Sequence, residues 1–242
     1  MRVAVISDIH GNHHALRAVL DAIGRERADA IWCLGDLVGY GPKPNDCCAT
    51  VARSARICLV GNHDLGVIGR IDLTDFSPDA HAAAQWSRDV LTRESRTYLE
   101  GRKTSTRAHR SELFHASPRD PVWEYVLSDE AARAAMRLTA SPVVLVGHSH
   151  VAFAYPADGQ ALGESLAPDG TEVDLGKGRW LINPGSVGQP RDGDPRAAYI
   201  VLDFDRNRAF FRRVSYPVER TQKEILDAGL PETLAGRLAL GL

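Results

Sequence analysis

The sequence predicts an α/β fold built on a largely parallel sheet. Through its first half, apolar runs of strand length alternate with segments of helical periodicity. Those runs stop abruptly at Asp, Gly, Asn or His. Beyond His150 the pattern changes to short strands separated by Gly, Pro and Asp turns.

Taken in order, "VAVIS" reads as a strand. Asn12 to Arg25 reads as a helix that places Leu16, Val19, Leu20 and Ile23 on one face. "AIWCL" is the second strand, Asn45 to Arg53 a short helix and "RICLV" the third strand. Helical segments follow near Asp79 to Thr92 and Ser95 to Gly101. "ELFHA" is a short strand, Asp129 to Leu138 a helix and "PVVLV" a further strand. Strands around Val151 to Tyr155, Thr171 to Leu175, Arg179 to Ile182, Ala197 to Asp203 and Ala209 to Ser215 read as an antiparallel meander. Glu219 to Ala228 and Glu232 to Leu240 close the chain as helices. No linker, repeat or low-complexity segment interrupts it, so residues 1–242 read as one domain.

Composition narrows the function classes. The 242 residues are 44% hydrophobic and 25% charged, an ordinary globular balance. A net charge of -2 gives no general footprint for nucleic acid, so no bulk nucleic-acid partner is expected. No apolar stretch approaches the roughly 20 residues that cross a bilayer, so no membrane partner is expected either. The first strand runs into Asp8 too early for a signal peptide. Cys33, Cys47, Cys48 and Cys58 form no CxxC and no disulfide framework, and read as reduced core or helix residues. A cytoplasmic chain is the expectation. The sequence leaves its oligomeric state open.

Chemistry collects at the strand ends. "VAVISDIHGN" ends in Asp8 and His10, "AIWCLGD" in Asp36, and "ICLVGNHD" in Asn62, His63 and Asp64. "ELFHASP" supplies His115, and "LVGHSH" supplies His148 and His150. In an extended chain residues i and i+2 share a face, so each of the pairs Asp8/His10 and His148/His150 is expected to aim at one point. A lone Asp after a strand is commonly a turn or cap residue, and a lone His commonly a hydrogen-bonded structural one. Five such ends in succession, on a sheet whose ligands gather beyond the carboxyl ends of its strands, point to one metal crevice.

In this order, D-x-H, G-D, G-N-H-D, a lone His and G-H-x-H resemble the calcineurin-like metallophosphoesterases, over almost the whole chain. The segment Asn183 to Tyr199, "NPGSVGQPRDGDPRAAY", resembles the tail of small bacterial phosphodiesterases of the YfcE type. The resemblance implies a four-layer α/β/β/α sandwich with two divalent metals at the edge of the sheets. By matching motif, Asp8, His10, Asp36 and His150 would hold one metal, and Asp36, Asn62, His115 and His148 the other. The donor chemistry agrees. Carboxylate, imidazole and amide ligands suit manganese first, with iron, zinc, nickel or cobalt as alternatives, and are too nitrogen-rich for calcium or magnesium. Two divalent ions against Asp8, Asp36 and a shared hydroxide leave a positive site for a phosphate, which that hydroxide attacks in line.

The same resemblance makes His63 the general acid that protonates the leaving oxygen, with Asp64 orienting its ring; the alternative is a structural His–Asp pair at a helix start. His13 and His14 read as solvated, and His81 as a packing residue on a helix. The glycines between Gly185 and Gly188 fit either a phosphate cradle or a turn. Asn12, Tyr40 and Arg191 are the candidate substrate contacts.

Family phosphatases and dinucleoside polyphosphate hydrolases carry G-D-x-V-D-R-G after the second strand, whose arginine grips a terminal phosphate. Here the stretch is Gly35-Asp36-Leu37-Val38-Gly39-Tyr40-Gly41, so Tyr40 takes the place of that clamp. The expectation is hydrolysis of a small phosphodiester. The alternatives are a phosphomonoesterase, a serine/threonine protein phosphatase, a dinucleoside polyphosphate hydrolase, or a non-catalytic scaffold of the same fold. The filled ligand positions speak against a scaffold.

Overall fold

The computed structural model describes residues 1–158 and 161–242. In chain order the elements are β1 (Arg2–Ile6), α1 (His13–Glu26), β2 (Ala30–Cys33), α2 (Pro44–Ser54), β3 (Ile57–Cys58), α3 (Asn62–Val67), α4 (Pro78–Val90) and α5 (Arg93–Glu100). There follow β4 (Ser105–Ala108), β5 (Ser111–Phe114), α6 (Asp129–Arg137), β6 (Val143–Leu145), β7 (Ala152–Pro156), β8 (Glu172–Asp174) and β9 (Trp180–Pro184). The chain closes with β10 (Ala197–Asp203), β11 (Arg208–Val214), α7 (Val218–Asp227) and α8 (Glu232–Gly236).

The strands form two sheets, ordered β3-β2-β1-β10-β11-β8 and β4-β5-β6-β9-β7. The expected meander is therefore corrected. β10 returns antiparallel beside β1 and leads into β11 and β8, whereas β9 lies parallel to β6 and antiparallel to β7. The turns were legible as turns, but not which sheet each strand joins, because burial on both faces removes the alternation that would assign one. The third strand also shrinks to Ile57–Cys58, and α3 begins at Asn62, the helix start that a structural reading of His63 and Asp64 allows.

Period-2 burial explains the stacking. Val3 and Val5 of β1 point between the sheets with Leu113, Val143 and Ile182, while Ala4 and Ile6 face the helices. On that helical side α1 buries Leu16, Val19 and Ile23, each contributing about 1.5–3 kcal/mol of apolar burial. On the outer face of the second sheet α6 packs Ala132, Ala135 and Met136 against Val144, Val146 and Phe153. The result is a mixed α/β protein of two sheets flanked by helices. α7, α8 and the turn after α8 pack Ile225, Leu234 and Leu238 against Tyr40 and α4, beside the region beyond the strand ends. All four cysteines are buried and free. Among the described residues no helix is long and apolar enough to cross a membrane.

Candidate metal centre

The ends of β1, β2, β3, β5 and β6 open at one edge of the two sheets, and their loops are built in an unusual conformation. Among the described residues nine non-glycines have φ between +48° and +63°, and six of them are Asp8, His10, Asp36, Tyr40, His148 and His150. Left-handed backbone costs a side-chain-bearing residue roughly 1–2 kcal/mol, so such clustering marks a site the surrounding structure over-determines. Cross-loop hydrogen bonds do so here. The amides of Ile9 and His10 donate to Asp36 O at 2.8 and 2.9 Å, and Gly41 donates to His10 O at 3.0 Å. The amide of His148 donates to both carboxylate oxygens of Asp8.

This conformation corrects the simple spacing argument. Asp8 and His10 do meet, but His148 and His150 do not aim at one point. His150 joins Asp8 and His10, whereas His148 joins Asp36 and His115. His148 and His150 are left-handed rather than extended, as are Asp8 and His10, so the i, i+2 rule for extended chain decides neither pair.

Each of these four histidines is oriented by a backbone carbonyl. Nδ1 lies 3.1 Å from Val38 O in His10, 3.0 Å from Leu34 O in His115 and 2.6 Å from Gln189 O in His150; in His148, Nε2 lies 3.3 Å from Trp123 O. A carbonyl only accepts, so that nitrogen carries the hydrogen and the other nitrogen turns a lone pair inward. Nε2 of His10 then faces Nε2 of His150 at 3.0 Å, with no proton between them to share. Burial holds both imidazoles well below their ordinary range, which opposes protonating either ring. His148 is likewise lowered, and His115 falls to about 3, again through burial first.

The carboxylates are the complement. Oδ2 of Asp36 is buried without a hydrogen-bond partner among the described residues, 3.6 Å from Nε2 of His10 and 3.5 Å from Nε2 of His115. Asp8 lies 3.6 Å from Nε2 of His150, and Asn62 Oδ1 lies 3.3 Å from Nε2 of His115. Burial pushes Asp8 up to about 7 and Asp36 well above the usual carboxylate range, where the charges of Asp64 and Asp8 push it further. Ligand atoms about 2.1 Å from a common ion stand about 3.0–3.5 Å apart. Lone pairs facing each other, and a buried carboxylate oxygen without a donor, are donor groups that fit divalent cations.

His63 lies beside this cage. Its ring meets His10 at 4.8 Å, Tyr40 at 4.4 Å and Phe76 at 5.0 Å, and a ring nitrogen lies within 4.8 Å of donor atoms of His10 and Asp36. Its Nδ1 is buried without a partner among the described residues, and burial with the Arg191 and His148 charges holds the imidazole well below its ordinary range. The expectation that Asp64 orients this ring is corrected. Oδ1 of Asp64 accepts from the amides of Leu37 and Val38 at 2.8 and 3.1 Å, and Oδ2 from Gly61 at 3.1 Å. It fastens the Asp36 loop to the start of α3.

The substrate-contact candidates divide. Asn12 is spent on structure: Oδ1 caps α1 by accepting from Ala15 N and also accepts from Thr221, while Nδ2 donates to Gly188 O. A short polar residue at a helix start is an N-cap before anything else, and that signal was available. Tyr40 and Arg191 meet instead: Nη2 of Arg191 donates to Tyr40 Oη at 3.3 Å and to Gln189 Oε1 at 2.8 Å. The guanidinium that the second-strand motif lacks thus arrives from the segment after β9.

That segment also carries supports that sequence reasoning missed. Ser186 Oγ donates to Asp8 O at 2.7 Å, and Asn183 Nδ2 donates to Gly147 O at 2.7 Å, tying the Asp8 and His148 loops together. The run "NPGS" was the available signal. A Cβ on Gly188 would stand 1.8 Å from Ile9 O, so this glycine serves close packing and not a phosphate cradle. His13 and His14 are half-buried beside Thr50 and Glu224 rather than solvated, and His81 Nδ1 lies 2.9 Å from Leu73 O.

Residues 1–207 match the calcineurin-like phosphoesterase superfamily domain, and the chain belongs to that family. An uncharacterized protein of Methanocaldococcus jannaschii is 36% identical over 99% of this chain and 98% of its own. The crystal structure of a metallophosphoesterase from Sphaerobacter thermophilus superposes over the whole of both chains, with a TM-score of 0.91 and 42% identity. A symmetrical bis(5'-nucleosyl)-tetraphosphatase of Photorhabdus laumondii is 33% identical over 36% of this chain and 38% of its own length. The chain is thus similar to phosphoester hydrolases.

Proposed function

We propose that this protein hydrolyses small phosphodiesters with two divalent metal ions, manganese foremost. The observation that carries the reading is the buried, partnerless Oδ2 of Asp36 between the Nε2 atoms of His10 and His115. Asp8, His10, Asp36 and His150 would hold one ion; Asp36, Asn62, His115 and His148 would hold the other. When bound, the ions supply Lewis acidity to the phosphoryl oxygens and activate a water.

The chain's own groups do the rest. Backbone carbonyls keep the four imidazoles in the ligating tautomer, so little reorganisation is needed. Arg191, held by Tyr40 and Gln189, offers its remaining N–H groups to a non-bridging phosphoryl oxygen. His63 buries Nδ1, leaving Nε2 to exchange a proton with the leaving oxygen. It is neutral at rest, and the negative charge of a bound phosphoester beside it favours its protonated form.

A second reading is favoured by Arg191 itself. A guanidinium against Tyr40 partly restores the clamp whose loss argued for diesters, so hydrolysis within a phosphate chain, as the partial relatives' names describe, is the alternative. Metal analysis followed by kcat/KM for bis-p-nitrophenyl phosphate, p-nitrophenyl phosphate and a dinucleoside polyphosphate tests both. Diester preference supports the first reading, preference for the polyphosphate the second, and a metal-loaded protein that cleaves none of them refutes both.

A further inference from the structure

The mouth of the centre is bordered by the loop of residues 115–128, between β5 and α6. It contains no strand or helix, yet it is heavily fastened. Asp120 Oδ1 accepts from the amides of Val122 and Trp123 at 3.0 and 3.1 Å. Ser117 Oγ accepts from the amides of Arg119 and Asp120 and donates to Glu124, which also pairs with Arg119. The Trp123 ring meets the edge of Phe76 at 5.3 Å, and the carbonyl of Trp123 orients His148.

Two residues further on, Tyr125 lies flat on His148, with ring centroids 4.0 Å apart and planes 24° apart. Its side chain is nevertheless among the exposed large ones, at 46%. One face of the ring is covered by the imidazole, and nearly half of the residue's surface remains exposed. His148 is already buried and fixed by a carbonyl, so orienting it does not require an aromatic residue. A rigid, half-open aromatic face held beside a phosphate site is what a planar ring stacks upon. A cationic group is part of the same site: the Arg191 guanidinium lies over the Tyr40 ring, 5.7 Å from its centroid.

We propose that Tyr125 is a stacking platform for a nucleobase, so that the substrate is a nucleotide-type phosphoester with its base on this ring and its phosphate at the centre. This rests on the phosphoester reading above. The test is calorimetric binding of adenosine 5'-monophosphate and ribose 5-phosphate to the manganese-loaded protein. The nucleotide is expected to bind about tenfold more tightly, the scale of one base–aromatic stack. Tyr125→Leu should abolish that difference while retaining metal and ribose 5-phosphate affinity, and Tyr125→Phe should preserve it. Equal binding of the two ligands by the wild type would overturn the platform while leaving the phosphate site intact. An equal loss for both ligands in Tyr125→Leu, or loss of its metal, would assign the ring to positioning His148 and overturn it as well. If neither ligand bound, the phosphoester reading itself would fall.

Discussion

Replacing Asp36 by asparagine tests the shared centre directly. In the wild type Oδ1 accepts from the amide of His63 at 2.9 Å, and an amide oxygen can keep that bond. The other position changes sign: an NH₂ group would point at the lone pairs of His10 and His115, 3.6 and 3.5 Å away, and occupy them as a donor. Both ions should therefore be lost, and not one. An ion present at 100 times its Kd adds about 2.7 kcal/mol to stability, so two add about 5 kcal/mol. For a chain of this size 1 kcal/mol moves Tm by about 2–4 °C, so adding manganese to stripped wild type should raise Tm by roughly 10–20 °C. Asp36→Asn should show almost none of that rise. Stripped of metal, it should be at least as stable as stripped wild type, because it loses a buried carboxylate that Asp64 and Asp8 repel. The assay is elemental analysis with thermal melts in manganese and in chelator, using His150→Ala as the variant that loses one ion. Two tightly bound ions per chain in Asp36→Asn would refute the assignment.

His63→Ala should keep its metals and lose about 10²–10⁴-fold in turnover on diesters with poor leaving groups, but less with p-nitrophenolate, which hardly needs protonation; equal losses would rule out the acid role. Arg191→Gln should raise KM more for p-nitrophenyl phosphate than for its bis ester, since a monoester dianion gains more from the guanidinium. An unchanged KM for both would remove Arg191 from the binding site. Asn12→Ala should cost about 1–2 kcal/mol as a lost N-cap, seen as a lower Tm, with KM unaltered; a KM change without a Tm change would restore Asn12 as a substrate contact.

Much of the centre was legible because its residues sit one after another at strand ends, where topology alone brings them together. Asp8, Asp36, Asn62, His115 and His150 need only the strand order to meet. Less legible was anything decided by a partner far along the chain. Asp64 looked like a companion for its neighbour His63, but three amides drawn from two loops claim its oxygens. Arg191 lies 151 positions from Tyr40, and no local pattern announces that the two touch. The strands after His150 were visible as strands, yet their division between two sheets depends on pairings such as Val5 with Ile200 and Leu145 with Ile182.

The left-handed residues explain how the site holds its shape. Six of them at roughly 1–2 kcal/mol each are a substantial cost for one region. If ions alone repaid it, the loops would have to rearrange whenever metal left. The hydrogen bonds point the other way. Asp8 N to Gly35 O, Gly11 N to Leu37 O and Gly188 N to Asp8 O tie three separate loops at 2.8 to 3.0 Å, and none of these bonds uses a ligand atom. The strain is therefore balanced by backbone contacts that persist without metal. What the ions would relieve is different: the buried Asp36 carboxylate, repelled by Asp64 and Asp8, and two imidazole lone pairs opposed at 3.0 Å. Geometry comes from the chain, and charge balance would come from the metals.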